Sequence, residues 1–234
     1  MMKKRFYIML LFLFIVYFVS FSLSGCSLIL KKNRKPVVYK NNVSSKNNIY
    51  KPVLNYKSVL NYVTKKINVY NYNKLDTVMF LRATYFNNAF VYAYAKKYSK
   101  YYLLNKKAFK IKLNKLYKTS NKYVKFFISV YTPNIRYNNF DSNRSIWMIY
   151  LSNNKKENVL PLKIKPAERK RAFLKAFFPY ITKWSKQYII EFPRYYDKKK
   201  KELMITRKTK WLKLTITGVN GRAILKWNLT PIKN

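Results

Sequence analysis

The second half of the chain alternates polar and apolar residues with the period expected of β-strands. Segments 122–126 and 210–216 show this alternation most clearly, which predicts strands with one face in water and one in a core. We predict eight strands, at residues 109–113, 123–131, 145–151, 159–164, 187–192, 203–206, 211–217 and 222–229. Between the last two, the segment 218–221 predicts a tight hairpin, because its Asn-Gly pair favours positive φ angles. The pattern as a whole predicts an antiparallel β-sandwich or a half-open barrel.

Two segments show a helical period instead. Residues 75–104 contain neither Gly nor Pro and place apolar residues at spacings of three and four, which predicts one or two helices. Residues 168–184 predict a short amphipathic helix that ends at Pro179. We therefore expect a single globular domain at residues 74–234, mainly β but of the α+β class. Its helical part is predicted at 75–104 and its β-rich part at 107–232.

The first 25 residues have the layout of a secretory signal. Three cations at positions 3–5 precede an almost unbroken apolar run over residues 6–21. The next residues, Leu23-Ser24-Gly25-Cys26, resemble a bacterial lipobox, in which an apolar residue and two small residues precede a cysteine. The resemblance implies cleavage between Gly25 and Cys26 and attachment of diacylglycerol to the Cys26 thiol. It also implies that an acyl chain such as palmitate is often added to the new amino terminus.

The same resemblance predicts where the body of the protein lies. An uncleaved transmembrane anchor is the alternative, because the apolar run is close to the roughly 20 residues that span a bilayer. Both interpretations place the body in the cell envelope, outside the cytoplasm. Ser27 directly after the cysteine favours the outer membrane over the inner membrane. Residues 26–73, which are rich in Lys, Asn and Ser and lack a sustained period, predict the lipidated cysteine followed by a tether.

The charge of the chain is strongly positive, with 50 Lys and Arg against 7 Asp and Glu and a formal net charge of +43. The leader holds only three of these cations, so the basic character belongs to the body. Such a field attracts anionic lipid, lipopolysaccharide or an acidic envelope protein, and the attraction weakens as salt rises. Tyr and Lys interleave over residues 94–102, which makes a set of nearby lysines candidates for anion binding: Lys96, Lys97, Lys100, Lys106 and Lys107. An ordinary solvated helix face is the alternative.

The composition leaves few groups for catalysis. The chain has no His, only three Gly, and a single Cys that the lipobox would consume, so we expect no catalytic residues, no metal site and no cofactor. The seven acids are dispersed along the chain and form no calcium-loop spacing. Segments 131–133 and 177–193 resemble uncharacterised exported bacterial lipoproteins with a sheet-rich body, a resemblance that implies no activity.

Three functions stay open on these grounds. The first is a non-enzymatic envelope lipoprotein, attached to the bilayer through acylated Cys26, whose body binds an anionic surface or a partner protein. The second is an envelope hydrolase that uses a Ser with a Lys base or a lone carboxylate. The third is an extracytoplasmic binder of polyanions, although an exported location argues against nucleic acid as its ligand. The charge and the scarcity of catalytic groups favour the first.

Overall fold

A computed structural model of the chain describes residues 55–71, 75–155, 157–197, 199 and 202–229. The predicted signal peptide, Gly25, Cys26 and the first part of the predicted tether lie outside the described residues. The fold begins earlier than the predicted boundary at residue 74. Residues 56–71 form a helix and a strand of the body, because Val59, Leu60 and Val63 bury apolar side chains in it.

Helices and strands are mixed along the described residues. The α-helices are α1 Tyr56–Val63, α2 Asn88–Tyr101, α3 Lys106–Lys122 and α4 Arg171–Phe177, and a short 3-10 helix spans Ile135–Tyr137. The strands are β1 Thr64–Asn71, β2 Asp76–Tyr85, β3 Tyr123–Tyr131, β4 Trp147–Asn153, β5 Asn158–Val159, β6 Lys163–Pro166, β7 Lys186–Pro193, β8 Tyr195–Asp197, β9 Glu202–Leu203, β10 Trp211–Gly218 and β11 Gly221–Asn228.

Asparagine side chains fix the start of α1, α2 and α3. In each case the side-chain oxygen accepts a hydrogen bond from a backbone N–H two or three residues further on. The distances are 3.1 Å for Asn55, 2.8 Å for Asn87 and 2.9 Å for Asn105. An N-cap of this kind contributes about 1 kcal/mol to a helix, because the first N–H groups have no partner within the helix.

The strands form two large sheets and a small two-stranded ribbon. The first sheet has the order β1-β2-β3-β7-β6, the second has the order β11-β10-β4-β5, and β8 pairs with β9. Every pair of neighbours is antiparallel. One face of each large sheet contributes to a single buried apolar cluster. The described residues thus have a mainly β, α+β fold with the two sheets packed as a sandwich, which confirms the predicted fold class.

Trp227 shows how closely the two sheets approach. This β11 residue is 3% exposed, and its ring centroid lies 5.0 Å from that of Phe126 on β3, in the other sheet. Its indole Nε1 donates a 2.7 Å hydrogen bond to the carbonyl oxygen of Val63 at the end of α1. A single side chain therefore fills the core and satisfies the terminal carbonyl of a helix.

The opposite face of the first sheet is covered by helices. Phe127 on β3 points to this side, and its ring stacks on that of Phe178, with 3.8 Å between centroids and 9° between planes. Phe90 of α2 and Phe177 of α4 are fully buried in the same cluster. The fold therefore has three layers, with the first sheet between the second sheet and the helices.

The hairpin between β10 and β11 is where the sequence predicted it. Gly218 pairs with Gly221, so the loop has two residues. Gly221, with φ of +152°, carries the positive angle, and Asn220 does not. A Cβ at Gly221 would lie 3.3 Å from Val69 Cγ1 of β1 and 3.4 Å from Val78 Cγ1 of β2. Glycine is required there both for the angle and for the close approach of the two sheets.

Two predicted elements differ in type from those observed, and a third, the strand predicted over 159–164, is divided between β5 and β6 in different sheets. The helix predicted over 75–104 begins only at Asn88, because Asp76–Tyr85 is strand β2. The strand predicted over 109–113 is part of helix α3. At the end of β2 both faces are covered, with Thr84 buried toward the helical layer and its neighbours toward the sandwich core, so burial does not alternate there although the polarity of the residues does. In the second case Phe109, Ile111 and Leu113 alternate like a strand, yet Ile111 is 62% exposed.

Candidate anion-binding site

Carboxylates neutralise little of the positive surface. Among the described residues Lys125 and Glu191 form the one ion pair, with 3.6 Å between Nζ and Oε1. They are cross-strand neighbours on β3 and β7. Burial lowers the pKa of Lys125, and the adjacent Glu191 opposes that effect. The Glu202 carboxylate instead accepts a hydrogen bond from the Tyr196 hydroxyl.

The Lys125 and Glu191 pair is expected to contribute measurably to stability. Replacing Lys125 with Met should cost about 1–3 kcal/mol of the free energy of unfolding, because Glu191, only 14% exposed, then lacks its partner. The double substitution Lys125→Met with Glu191→Leu should recover most of this loss. Denaturant unfolding measures both, with Lys66→Met on the exposed side of β1 as the control. If Lys125→Met costs no more free energy of unfolding than the control Lys66→Met, the ion pair does not contribute to stability.

Helix α3 presents the most regular row of cations. No residue of this helix is fully buried and none is acidic. Its half-buried side contains Phe109, whose ring meets that of Tyr92 of α2 at 6.2 Å with an edge-on geometry. The opposite, exposed side carries a set of lysines that we call the α3 outer face: Lys107, Lys110, Lys115, Lys118 and Lys122. Spacings of three, five, three and four residues keep these lysines on one side of the helix.

Of the five lysines predicted from the sequence to bind anions, four are exposed and one is not. Lys96, Lys100, Lys106 and Lys107 are exposed on α2 and in the first turn of α3. Lys97 turns inward instead, where its Nζ donates a 2.5 Å hydrogen bond to a carbonyl oxygen of α4 and lies 4.2 Å from the centroid of a tyrosine ring on α1. Burial lowers its pKa accordingly. Lys97 therefore joins three helices and is not placed for an external anion.

A second group of residues was not identified from the sequence. Five side chains from α2 and its C-cap, from α3, and from just before and within α4 meet at the surface of the helical layer, and we call them the cation–aromatic cluster: Tyr98, Tyr102, Lys112, Arg169 and Phe173. The Lys112 Nζ lies 4.1 Å from the centroid of the Tyr98 ring, and the Arg169 Cζ lies 5.5 Å from that of Phe173. The sequence gives little indication of this cluster, because Lys112 falls on the apolar side of a helix only if residues 109–113 are predicted to be helical.

Among the described residues, no lysine ammonium group is hydrogen-bonded to a serine hydroxyl. The two lysine ammonium groups with hydrogen bonds among these residues, those of Lys97 and Lys186, donate to backbone carbonyl oxygens and not to serine hydroxyls. The Ser129 hydroxyl donates to the Ser185 hydroxyl at 2.9 Å. No group of three acids able to hold a metal ion is found within the described ranges. No described helix has both the length and the apolar character needed to cross a membrane.

Comparison of the chain with known protein families, with curated proteins and with solved structures found no match. The function proposed below therefore rests on the residues and contacts of this chain.

Proposed function

We propose that this protein is a non-enzymatic envelope lipoprotein that is anchored through acylated Cys26 and docks its basic body on an anionic membrane surface. The α3 outer face is the docking surface. The anchor part of the proposal rests on the lipobox resemblance of Leu23 to Cys26 and on the apolar leader that precedes it.

The observation that carries the docking part is the uncompensated row of lysines on α3. From Lys107 to Lys122 the row extends about 22 Å along the helix axis, at about 1.5 Å per residue. A straight, exposed row of this length can bring all five ammonium groups near a flat surface at once. Among the described acids, Glu168 is the nearest in sequence to any of the four helices. It is exposed and lies just before the start of α4.

The two parts of the proposal have different roles. The diacylglyceryl group alone supplies two acyl chains, which attach a protein stably to a bilayer, so the basic face is not needed for attachment itself. Each Lys near an anionic surface contributes about 1 kcal/mol at physiological salt. Once the anchor holds the body at the membrane, the α3 outer face is expected to fix its orientation, because it offers more cations per unit length than any other described helix.

Neutralising the α3 outer face is expected to weaken vesicle binding at least tenfold. The test uses the mature chain without lipid, with Cys26→Ser and no leader, and vesicles of phosphatidylcholine with or without phosphatidylglycerol. Lys107, Lys110, Lys115 and Lys118 are changed together to Gln, which removes four charges worth about 1 kcal/mol each. Cosedimentation gives the dissociation constant at about 0.05 M and about 0.5 M NaCl, where screening should abolish the wild-type binding.

The matched control removes the same charge elsewhere. Lys155, Lys163, Lys208 and Lys210 are exposed on loops and strands of the two sheets, and their joint change to Gln should alter the dissociation constant by less than about threefold. An equal loss in both variants would assign binding to net charge and not to α3. If the wild type binds vesicles equally well with and without phosphatidylglycerol, the proposal is overturned.

A further inference from the structure

The position of Lys112 within the cation–aromatic cluster is unusual for a lysine. It lies on the half-buried side of α3, between Phe109 and Leu116, where the helix otherwise packs apolar side chains. Burial lowers its pKa, and the positive charges of Arg169 and Lys115 lower it further. A lysine held in such a place with cations for neighbours loses solvation and gains no ion pair.

The cluster has no acid to offset its two cations. Glu168 precedes Arg169 in sequence, yet its carboxylate lies more than 4 Å from any cation among the described residues. An anion seated between Lys112 and Arg169 would convert their repulsion into attraction. Arg169 offers a planar fork of donors and Lys112 a point charge, a combination that suits a tetrahedral phosphate with several free oxygens.

The aromatic members of the cluster add a second kind of contact. The Tyr98 and Tyr102 rings stack with 4.3 Å between centroids, and Phe173 lies 6.4 Å from Tyr98. Tyr102 is 51% exposed, so part of this ring surface is open to solvent. Flat ring faces with phenol hydroxyls at their edge can pack the C–H face of a sugar and hydrogen-bond its hydroxyls.

We infer that the cation–aromatic cluster binds a phosphorylated saccharide, with the phosphate between Lys112 and Arg169 and the sugar ring against the exposed part of Tyr102, because the Tyr98 ring is already covered by Lys112 and Tyr102. The inference deepens the proposed function and rests on it, because a saccharide phosphate at the envelope surface is the headgroup of an anionic glycolipid. The α3 outer face then supplies attraction over a distance, and the cluster supplies chemical selectivity. The two sites share helix α3 but use different sides of it.

The test measures binding of glucose 1-phosphate, glucose and inorganic phosphate to the mature chain without lipid, by calorimetry. Glucose 1-phosphate is expected to bind at least about fivefold more tightly than inorganic phosphate, and glucose alone is expected not to bind detectably. Arg169→Gln should weaken glucose 1-phosphate at least about tenfold, because a charged hydrogen-bond donor is lost from an exposed side chain that the fold does not require. Tyr102→Leu should weaken the binding of glucose 1-phosphate but leave the affinity for inorganic phosphate unchanged.

Controls separate the cluster from general charge and from the proposed docking. Lys208→Gln removes one exposed cation from the turn before β10 and should leave glucose 1-phosphate binding unchanged. An equal loss in Lys208→Gln and Arg169→Gln, or inorganic phosphate binding as tightly as the sugar phosphate, would overturn the inference. Tighter binding of adenosine monophosphate than of glucose 1-phosphate would overturn it in favour of a nucleotide.

Failure of the inference can be distinguished from failure of the proposed function. Arg169→Gln is expected to retain its affinity for phosphatidylglycerol vesicles, which carry no saccharide phosphate, within about threefold. The α3 outer-face variant should lose that affinity yet still bind glucose 1-phosphate. If the protein binds vesicles as expected but does not prefer glucose 1-phosphate to inorganic phosphate, only the inference about the cluster is overturned. If it prefers glucose 1-phosphate but the α3 outer-face variant binds vesicles as the wild type does, only the docking surface is overturned.

Discussion

Replacing Phe127 with alanine is expected to lower the free energy of unfolding by about 3–5 kcal/mol. This residue is 1% exposed and lies between the first sheet and the helical layer. The substitution removes the ring that stacks on Phe178 at 3.8 Å and leaves a cavity that β3, paired on both sides, cannot close. Denaturant unfolding followed by tryptophan fluorescence gives the change directly.

Phe80→Ala provides the matched control for this substitution. Phe80 lies on the neighbouring strand β2 and also contacts other rings, Tyr70 at 6.0 Å and Tyr131 at 5.6 Å, but it is 38% exposed. Its truncation should cost less than about 2 kcal/mol, because much of the ring is already in water. If both substitutions cost the same, the Phe127 ring would not anchor the helices to the sheet.

The parts of the fold that the sequence predicted well are those with one buried face. Strand β10 alternates buried Leu212, Leu214 and Ile216 with more polar neighbours, and the two-residue turn that follows fixes its register with β11. Strand β3 was also predicted at its observed bounds, although it is buried on both faces. Its run of β-branched and aromatic residues, without Gly or Pro, was sufficient.

The errors occurred where the local pattern fits both a helix and a strand. Strand β2 has four consecutive apolar residues at 78–81, so apolar side chains lie on both of its faces and spacings of three and four appear beside the spacing of two. The start of α3 has the opposite ambiguity, with Ile111 exposed between two half-buried apolar residues. Asn87 and Asn105 cap the helices that follow them, but Asn occurs so often along this chain that the sequence alone does not single out these two as caps.

One of the two candidate sites could be predicted from the sequence in part, and the other could not. The interleaved Tyr and Lys of residues 94–102 indicated a basic surface there, and four of the five predicted lysines are exposed. The cation–aromatic cluster does not follow from the sequence, because it joins α2 and α3 to residues more than 50 positions further along the chain, just before and within α4. The approach of Arg169 to Lys112 runs through Phe173 and Tyr98 and depends on how α4 packs against α2. No periodicity encodes that packing.

Replacing Cys26 with serine is expected to abolish lipid attachment completely. In the proposed protein the Cys26 thiol receives the diacylglyceryl group, and a serine hydroxyl cannot form the thioether. The variant should take up no labelled palmitate and should persist as a precursor that is longer by the 25 leader residues. Metabolic labelling and electrophoresis of membrane fractions measure both effects in a bacterium that processes lipoproteins.

Ser24→Ala is the control for this substitution, because it keeps a small residue before the cleavage site and should be labelled and processed normally. The uncleaved transmembrane anchor makes a different prediction, in which the wild type, Ser24→Ala and Cys26→Ser all remain full-length and unlabelled. Processing of Cys26→Ser to the mature length would contradict both. With several acyl chains attached, at about 0.8 kcal/mol per buried methylene, the processed wild type and its control should resist extraction by salt although they have lost the apolar leader.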